Sequence, residues 1–173
     1  MKNLVLVGFM GSGKTTIGKR VANKLSVKFL DMDAEIEKRE GMKVSDIFAK
    51  EGEMHFRHLE RALTEELAAK SSLVIATGGG VVLDPRNIED FQKNGIVIGL
   101  GVHLDSVMAR VGHHTHRPLL ESDTEATKRE RVEKLLAERE PLYRAAGEYI
   151  DTNSYTIDEV VNKVVAIYMR DMK

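Results

Sequence analysis

Leu4-Val-Leu-Val-Gly8-Phe-Met-Gly-Ser-Gly13-Lys14-Thr15-Thr16 is the stretch that decides the fold. A short continuous apolar run suits a strand covered on both faces of a parallel sheet. It leads straight into G-x-x-x-x-G-K-[ST], and residues 14–25 then repeat with helical spacing. Strand, glycine loop and helix in that order are the setting of a phosphate-binding loop. The glycines let successive backbone N–H groups curl inward as an anion nest, and the helix starting near Lys14 adds the positive end of its dipole. Lys14 would reach the β- and γ-phosphates, and the Thr15 hydroxyl would ligate Mg2+. This loop specifies a nucleotide and is silent on what receives the phosphate.

Outward from the loop, strand-like runs at residues 4–7, 27–30, 73–76, 96–100 and 149–151 alternate with helical patterns. The helical stretches are 14–25, 34–40, 44–50, 53–70, 85–93, 106–111, 125–139 and 157–169. Start signals sharpen two of them: Asp84 precedes Pro85, and Thr156 precedes Ile157, Asp158 and Glu159. This order implies an α/β sandwich on a mostly parallel sheet, with function at the carboxyl ends of the strands. At 173 residues with no repeat or linker, one domain over 1–173 is expected. The segment 112–124, with three histidines and Arg117-Pro118 but few core anchors, reads as a lid.

Composition narrows the function classes. Cysteine is absent, which removes disulfides, thiolate nucleophiles and cysteine-ligated zinc and agrees with a cytoplasmic setting. A net charge of −1 and only 5% aromatic residues argue against a nucleic-acid partner. No apolar run approaches the roughly 20 residues of a membrane helix, and no signal peptide is read. No heptad seam is legible, so a monomer is expected.

Several further groups sit where chemistry is expected. Asp31 and Asp33, two apart at the end of the second strand, lie on one side of an extended chain, suiting one carboxylate near Mg2+ and one near an acceptor hydroxyl. Either could instead cap the helix expected from Ala34. Arg57 and Glu60, three apart, usually mean a surface ion pair; the functional alternative is a guanidinium oriented to bind a carboxylate. Thr77-Gly78-Gly79-Gly80 follows the third strand, and three glycines there imply that something passes close to the backbone. Arg110, Arg117 and Arg139 flank or occupy the lid, and Pro141 should break or bend the helix just beyond Arg139. The paired histidines at 55 and 58 and the cluster at 113, 114 and 116 lack acidic or cysteine partners at metal-site spacing and are read as ordinary.

Taken together, these residues resemble the shikimate kinase family of P-loop enzymes over essentially the whole chain. The resemblance rests on residues 8–15, Phe29-Leu-Asp-Met-Asp33, Ile47-Phe48 with Gly52-Glu53 and Phe56-Arg57, Thr77-Gly-Gly-Gly80, Arg117-Pro-Leu-Leu120, and Arg139-Glu-Pro-Leu-Tyr-Arg144 before Asp151-Thr-Asn153. It implies a five-stranded parallel sheet in a three-layer α/β/α fold, with helices over about 33–61 binding the acceptor. ATP would be the donor, with Mg2+, and the 3-hydroxyl of shikimate the acceptor. Gly11, Ser12, Gly13, Lys14, Thr15 and Thr16 would hold the phosphates, with Arg110 against the adenine and Arg117 swinging in with the lid. Thr15 and Asp31 would hold the metal. Asp33 would take or orient the hydroxyl proton; Arg57, Arg139 and the Gly78, Gly79, Gly80 backbone would bind shikimate, walled by Phe48 and Phe56. The catalytic set would be Lys14, Asp33 and Arg117.

The His-rich lid and Ser154, where relatives often carry a basic residue, depart from the pattern. The alternatives are a gluconate kinase-like enzyme of the same architecture and a nucleotide-binding regulatory module without turnover. The Asp33, Arg57, Gly79 and Arg139 set favours an anionic polyol acceptor over the first, because paired arginines beside a carboxylate suit an acid substrate.

Overall fold

Leu4, Val5, Leu6 and Val7 are all completely buried, because the strand they form, β1 (Asn3–Gly8), is covered on both faces. The computed structural model describes residues 1–111 and 124–172. Around β1 lie β2 (Lys28–Asp31), β3 (Leu73–Ala76), β4 (Gly95–Gly101) and β5 (Glu148–Asp151). Among the described residues they form one parallel sheet in the order β2-β3-β1-β4-β5.

Side-chain alternation along the strands divides the core in two. Leu4, Leu6, Val74, Ile96 and Ile98 face α1 (Lys14–Leu25) and α8 (Ile157–Asp171), meeting Ile17, Val21, Val161 and Tyr168. Val5, Val7, Ile75 and Val97 face the opposite layer. That layer holds α2 (Met32–Glu40), α3 (Val44–Glu51), α4 (Glu53–Ala68), α5 (Pro85–Lys93), α6 (Leu104–Val111) and α7 (Glu125–Ala145). The three-layer α/β/α arrangement is the one expected.

The caps are also as read. Asp84 accepts from Arg86 N at 3.0 Å with Pro85 at the helix start, and Thr156 with Glu159 forms a capping box. Two local readings need correction. The second helix starts at Met32, so Asp33 lies in a first helical turn and not on an extended strand; Asp31, whose Oδ1 accepts from Ala34 N at 3.2 Å, is the cap. Pro141 does not end its helix, which runs on to Ala145 and puts Arg139 and Tyr143 on one buried face.

Candidate active site

At the carboxyl edge of the sheet a cleft of about 730 Å³ runs from the glycine loop to the helices of the opposite layer, well within the size range of small-molecule sites. Gly11, Ser12, Gly13, Lys14, Thr15, Thr16, Asp31 and Arg110 line one end; Asp33, Phe48, Phe56, Arg57, Gly78, Gly79, Gly80 and Arg139 line the other. Every site residue read from the sequence is therefore in one cleft except Arg117, which with the segment 112–123 lies outside the described residues.

The loop end is built mainly from backbone. Gly11 (φ +74°) and Gly13 (φ +89°) take the left-handed conformation that only glycine adopts at no steric cost. This curls the loop and starts α1 at Lys14. The Lys14 ammonium is fastened across the loop, donating to Gly8 O at 2.7 Å and Phe9 O at 3.0 Å. Arg110 comes in from α6, its guanidinium donating to Gly11 O while its stem covers Gly11. Thr15 Oγ1 donates to Asp31 Oδ2 at 2.7 Å, so a hydroxyl and a carboxylate stand side by side at the helix start. Hard oxygens of this kind fit Mg2+, which keeps most of its ligands as water and phosphate; no fuller cluster of His, Cys, Asp or Glu ligands occurs among the described residues.

The opposite end is built from buried charge. Arg57 donates to Glu60 Oε1 at 2.9 Å and Glu53 Oε1 at 3.3 Å. Glu60 is only 1% exposed, so the pair is no surface ornament. Burial pushes the Glu60 carboxyl above the usual range, opposed by the Arg57 charge. Asp33 is pushed up to about 6, first by burial and then by Asp31, while Lys14 and Arg57 pull the other way. Asp33 Oδ1, Arg57 Nε and Glu60 Oε2 are buried without a hydrogen-bond partner among the described residues. Three such atoms in one cleft are costly unless a polar ligand engages them. Phe48 and Phe56, with ring centroids 4.9 Å apart, form the apolar wall, and the Arg57 guanidinium lies 5.3 Å from the Phe56 ring.

The three glycines are explained by what lies against them. A Cβ at Gly78 would stand 2.8 Å from Asp33 Oδ1 and 3.0 Å from Glu60 Oε2; at Gly80 it would stand 2.6 Å from Arg57 Cζ. At Gly79 it would meet nothing of the protein closer than 3.6 Å. The close neighbours are thus the site's own side chains, where the sequence suggested a ligand.

Glu60 and Tyr143 were not singled out as site residues, although both could be found. Phe56, Glu60, Leu63, Thr64 and Leu67 share a helical stripe, and that spacing puts Glu60 on the buried face. Val132, Arg139 and Tyr143 do the same on α7.

Comparison with known proteins agrees with this geometry. A shikimate kinase family model matches residues 10–168. A shikimate kinase of Thermoanaerobacter pseudethanolicus is 48% identical over 170 residues, covering 98% of each chain. The structure of an Acinetobacter baumannii shikimate kinase in complex with shikimate superposes with a TM-score of 0.91 at 36% identity, covering 99% of this chain and 94% of that one. A gluconokinase from Sinorhizobium meliloti, at TM-score 0.62 and 18% identity over 98% and 92% of the two chains, shares the fold alone.

Proposed function

The chain belongs to the shikimate kinase family, and from that premise we propose that it transfers the γ-phosphate of ATP to the 3-hydroxyl of shikimate, giving shikimate 3-phosphate and ADP. The observation that carries the reading is the meeting, in one cleft, of a phosphate-binding loop with a raised-pKa carboxylate and two arginines. A neutral polyol would leave that positive pair unused.

Each group then has a task. The loop from Gly11 to Thr16 holds the phosphates, with Lys14 on the β- and γ-phosphates. Thr15 and Asp31 hold Mg2+, which when bound offsets phosphate charge. Arg57 and Arg139 take the substrate carboxylate, and Arg57 is pre-aimed by Glu60 and Glu53. Asp33 accepts the hydroxyl proton as the oxygen attacks the γ-phosphorus and the bond to ADP breaks. A carboxylate raised to about 6 is a better base than an ordinary one and stays ionised at pH 7. Arg110 covers the nucleotide, and Arg117→Ala should lower kcat if that residue adds charge at the phosphates. We take the chain to act as one cytoplasmic domain and as a monomer; no helix among the described residues is long and apolar enough to cross a membrane.

The test is ADP formation from Mg-ATP in a coupled assay with shikimate, gluconate or no acceptor. Formation that requires shikimate is expected. Confirmed ATP binding with no turnover on any acceptor would transfer the chain to the regulatory reading.

A further inference from the structure

Tyr143 takes no part in the chemistry above, yet its hydroxyl is buried where the two arms of the acceptor pocket meet. The residue is 2% exposed, and Oη donates to Gly79 O at 2.6 Å. Arg139 stands one turn earlier on the same buried face of α7, and its charge acts on the same hydroxyl. Burial holds the phenol above its ordinary range, keeping it a neutral donor.

The carbonyl it holds is the one that most needs holding. Consecutive glycines have the freest backbone of any sequence. Gly78 O is fixed by Val81 N at 3.2 Å and Gly80 O by Leu83 N at 3.1 Å, within the turn that follows. Gly79 O, between them, is taken by the Tyr143 side chain. In a trans peptide the C=O of residue 79 and the N–H of residue 80 share one plane and point oppositely, so fixing the carbonyl fixes the amide.

We propose that Tyr143 is a positioning residue that locks the Gly79–Gly80 peptide to α7, the helix that carries Arg139 one turn earlier, so that the backbone edge and the carboxylate-binding edge of the acceptor pocket keep one spacing. The inference rests on reading this cleft as the shikimate pocket. It assigns the tyrosine to acceptor affinity and not to nucleotide binding.

The molecule contains its own control. Tyr168 is equally buried at 2% exposure, and its hydroxyl also donates to a backbone carbonyl, Lys2 O at 2.7 Å, but just ahead of β1, away from the loop that follows that strand. Tyr143→Phe and Tyr168→Phe each remove one hydroxyl from one part-buried bond to a backbone carbonyl, so similar losses in Tm are expected. Only Tyr143→Phe should raise the KM for shikimate, by about tenfold for a lost hydrogen bond, with the KM for ATP unchanged. A shikimate KM within twofold of wild type, or an ATP KM rising in step with it, would overturn the proposal. Amide hydrogen exchange gives an answer independent of the acceptor's identity: the Val81 and Leu83 amides, which close the turn onto Gly78 O and Gly80 O, should lose protection in Tyr143→Phe and keep it in Tyr168→Phe. Unchanged protection in both would also overturn it. Wild-type protein inactive with shikimate would instead count against the functional reading, leaving the exchange result to decide the lock.

Discussion

The two ends of the cleft solve different problems with different materials. The nucleotide end comes from one continuous stretch, residues 8–16, plus Asp31 and Arg110, and holds its ligand with backbone N–H groups, a helix dipole and one lysine. The acceptor end is assembled from α2, α3, α4, the 77–80 loop and α7, and depends on carboxylates and guanidiniums buried against one another. A triphosphate carries its own charge and needs only a nest, whereas an uncharged hydroxyl must be found and deprotonated by groups held in strained electrostatic company. The acceptor end should therefore be the less stable and the more sensitive to mutation.

The largest effect should come from Asp33→Asn. Loss of the base is expected to lower kcat by about a thousandfold while Mg-ATP affinity stays near wild type; loss of nucleotide binding with it would erase the boundary between the two ends. The same change separates function from stability. The folded Asp33 carboxyl titrates at about 6, above its ordinary value of 3.8. Its contribution to stability is therefore complete below pH 4 and lost as pH rises through 6, where a buried group must ionise. Asp33→Asn should be more stable than wild type at pH 8, by on the order of 2–3 kcal/mol, with the difference vanishing towards pH 4. Thermal melts across that range check the sign. For wild type, kcat/KM should fall tenfold per pH unit below about 6.

Next comes Arg57. Arg57→Ala should raise the KM for shikimate about a hundredfold with little change for ATP. It also strands the buried Glu60 carboxylate, so Arg57→Lys is the folded companion: charge is kept, the planar fork is lost, and KM should still rise. An unchanged KM in both would remove the carboxylate clamp from the site.

The same division explains what could be read from the sequence. The loop, the alternation of strands and helices, and the caps were legible because each is set by neighbours in the chain: Gly13 before Lys14, Asp84 before Pro85, Thr156 before Glu159. Asp33 was located but given the wrong backbone, since the cap at Asp31 starts the helix at Met32, two residues earlier than Ala34. Pro141 should break or bend its helix; it does not break it, because packing of Arg139 and Tyr143 against the core outweighs the lost backbone bond. Glu60 looked like half of a surface pair; its spacing with Phe56, Leu63 and Leu67 marks the buried face, but that Gly78 packs against its carboxyl is seen only in the fold. Local chemistry shows in sequence; mutual burial of distant charges does not.

The glycine loop gives a finer test. Gly80→Ala drives a methyl into the Arg57 guanidinium and Gly78→Ala into Asp33 and Glu60. Each should raise the shikimate KM by about tenfold and lower Tm. Gly79→Ala meets only ordinary contacts within the protein and should keep its Tm. Equal destabilisation at all three positions would mean that backbone freedom, and not close approach, explains the triplet.

The smallest effect is expected where α6 touches the nucleotide end. Arg110 is bonded to Gly11 O, and its stem lies 3.6 Å from where a Cβ of Gly11 would be. It therefore braces the curl of the loop from outside, at a solvent-exposed position where one hydrogen bond is worth little. Arg110→Ala should raise the KM for ATP about threefold to fivefold and leave that for shikimate unchanged. The value of so small an effect lies in its direction. Because the loop is already shaped by Gly11, Gly13 and the Lys14 bonds to Gly8 and Phe9, loosening one brace should weaken phosphate binding without moving Asp33 or Arg57. A shikimate KM that rose as much as that for ATP would show the loop and the acceptor pocket to be one mechanical unit, with Lys14 and Asp33 adjusting together.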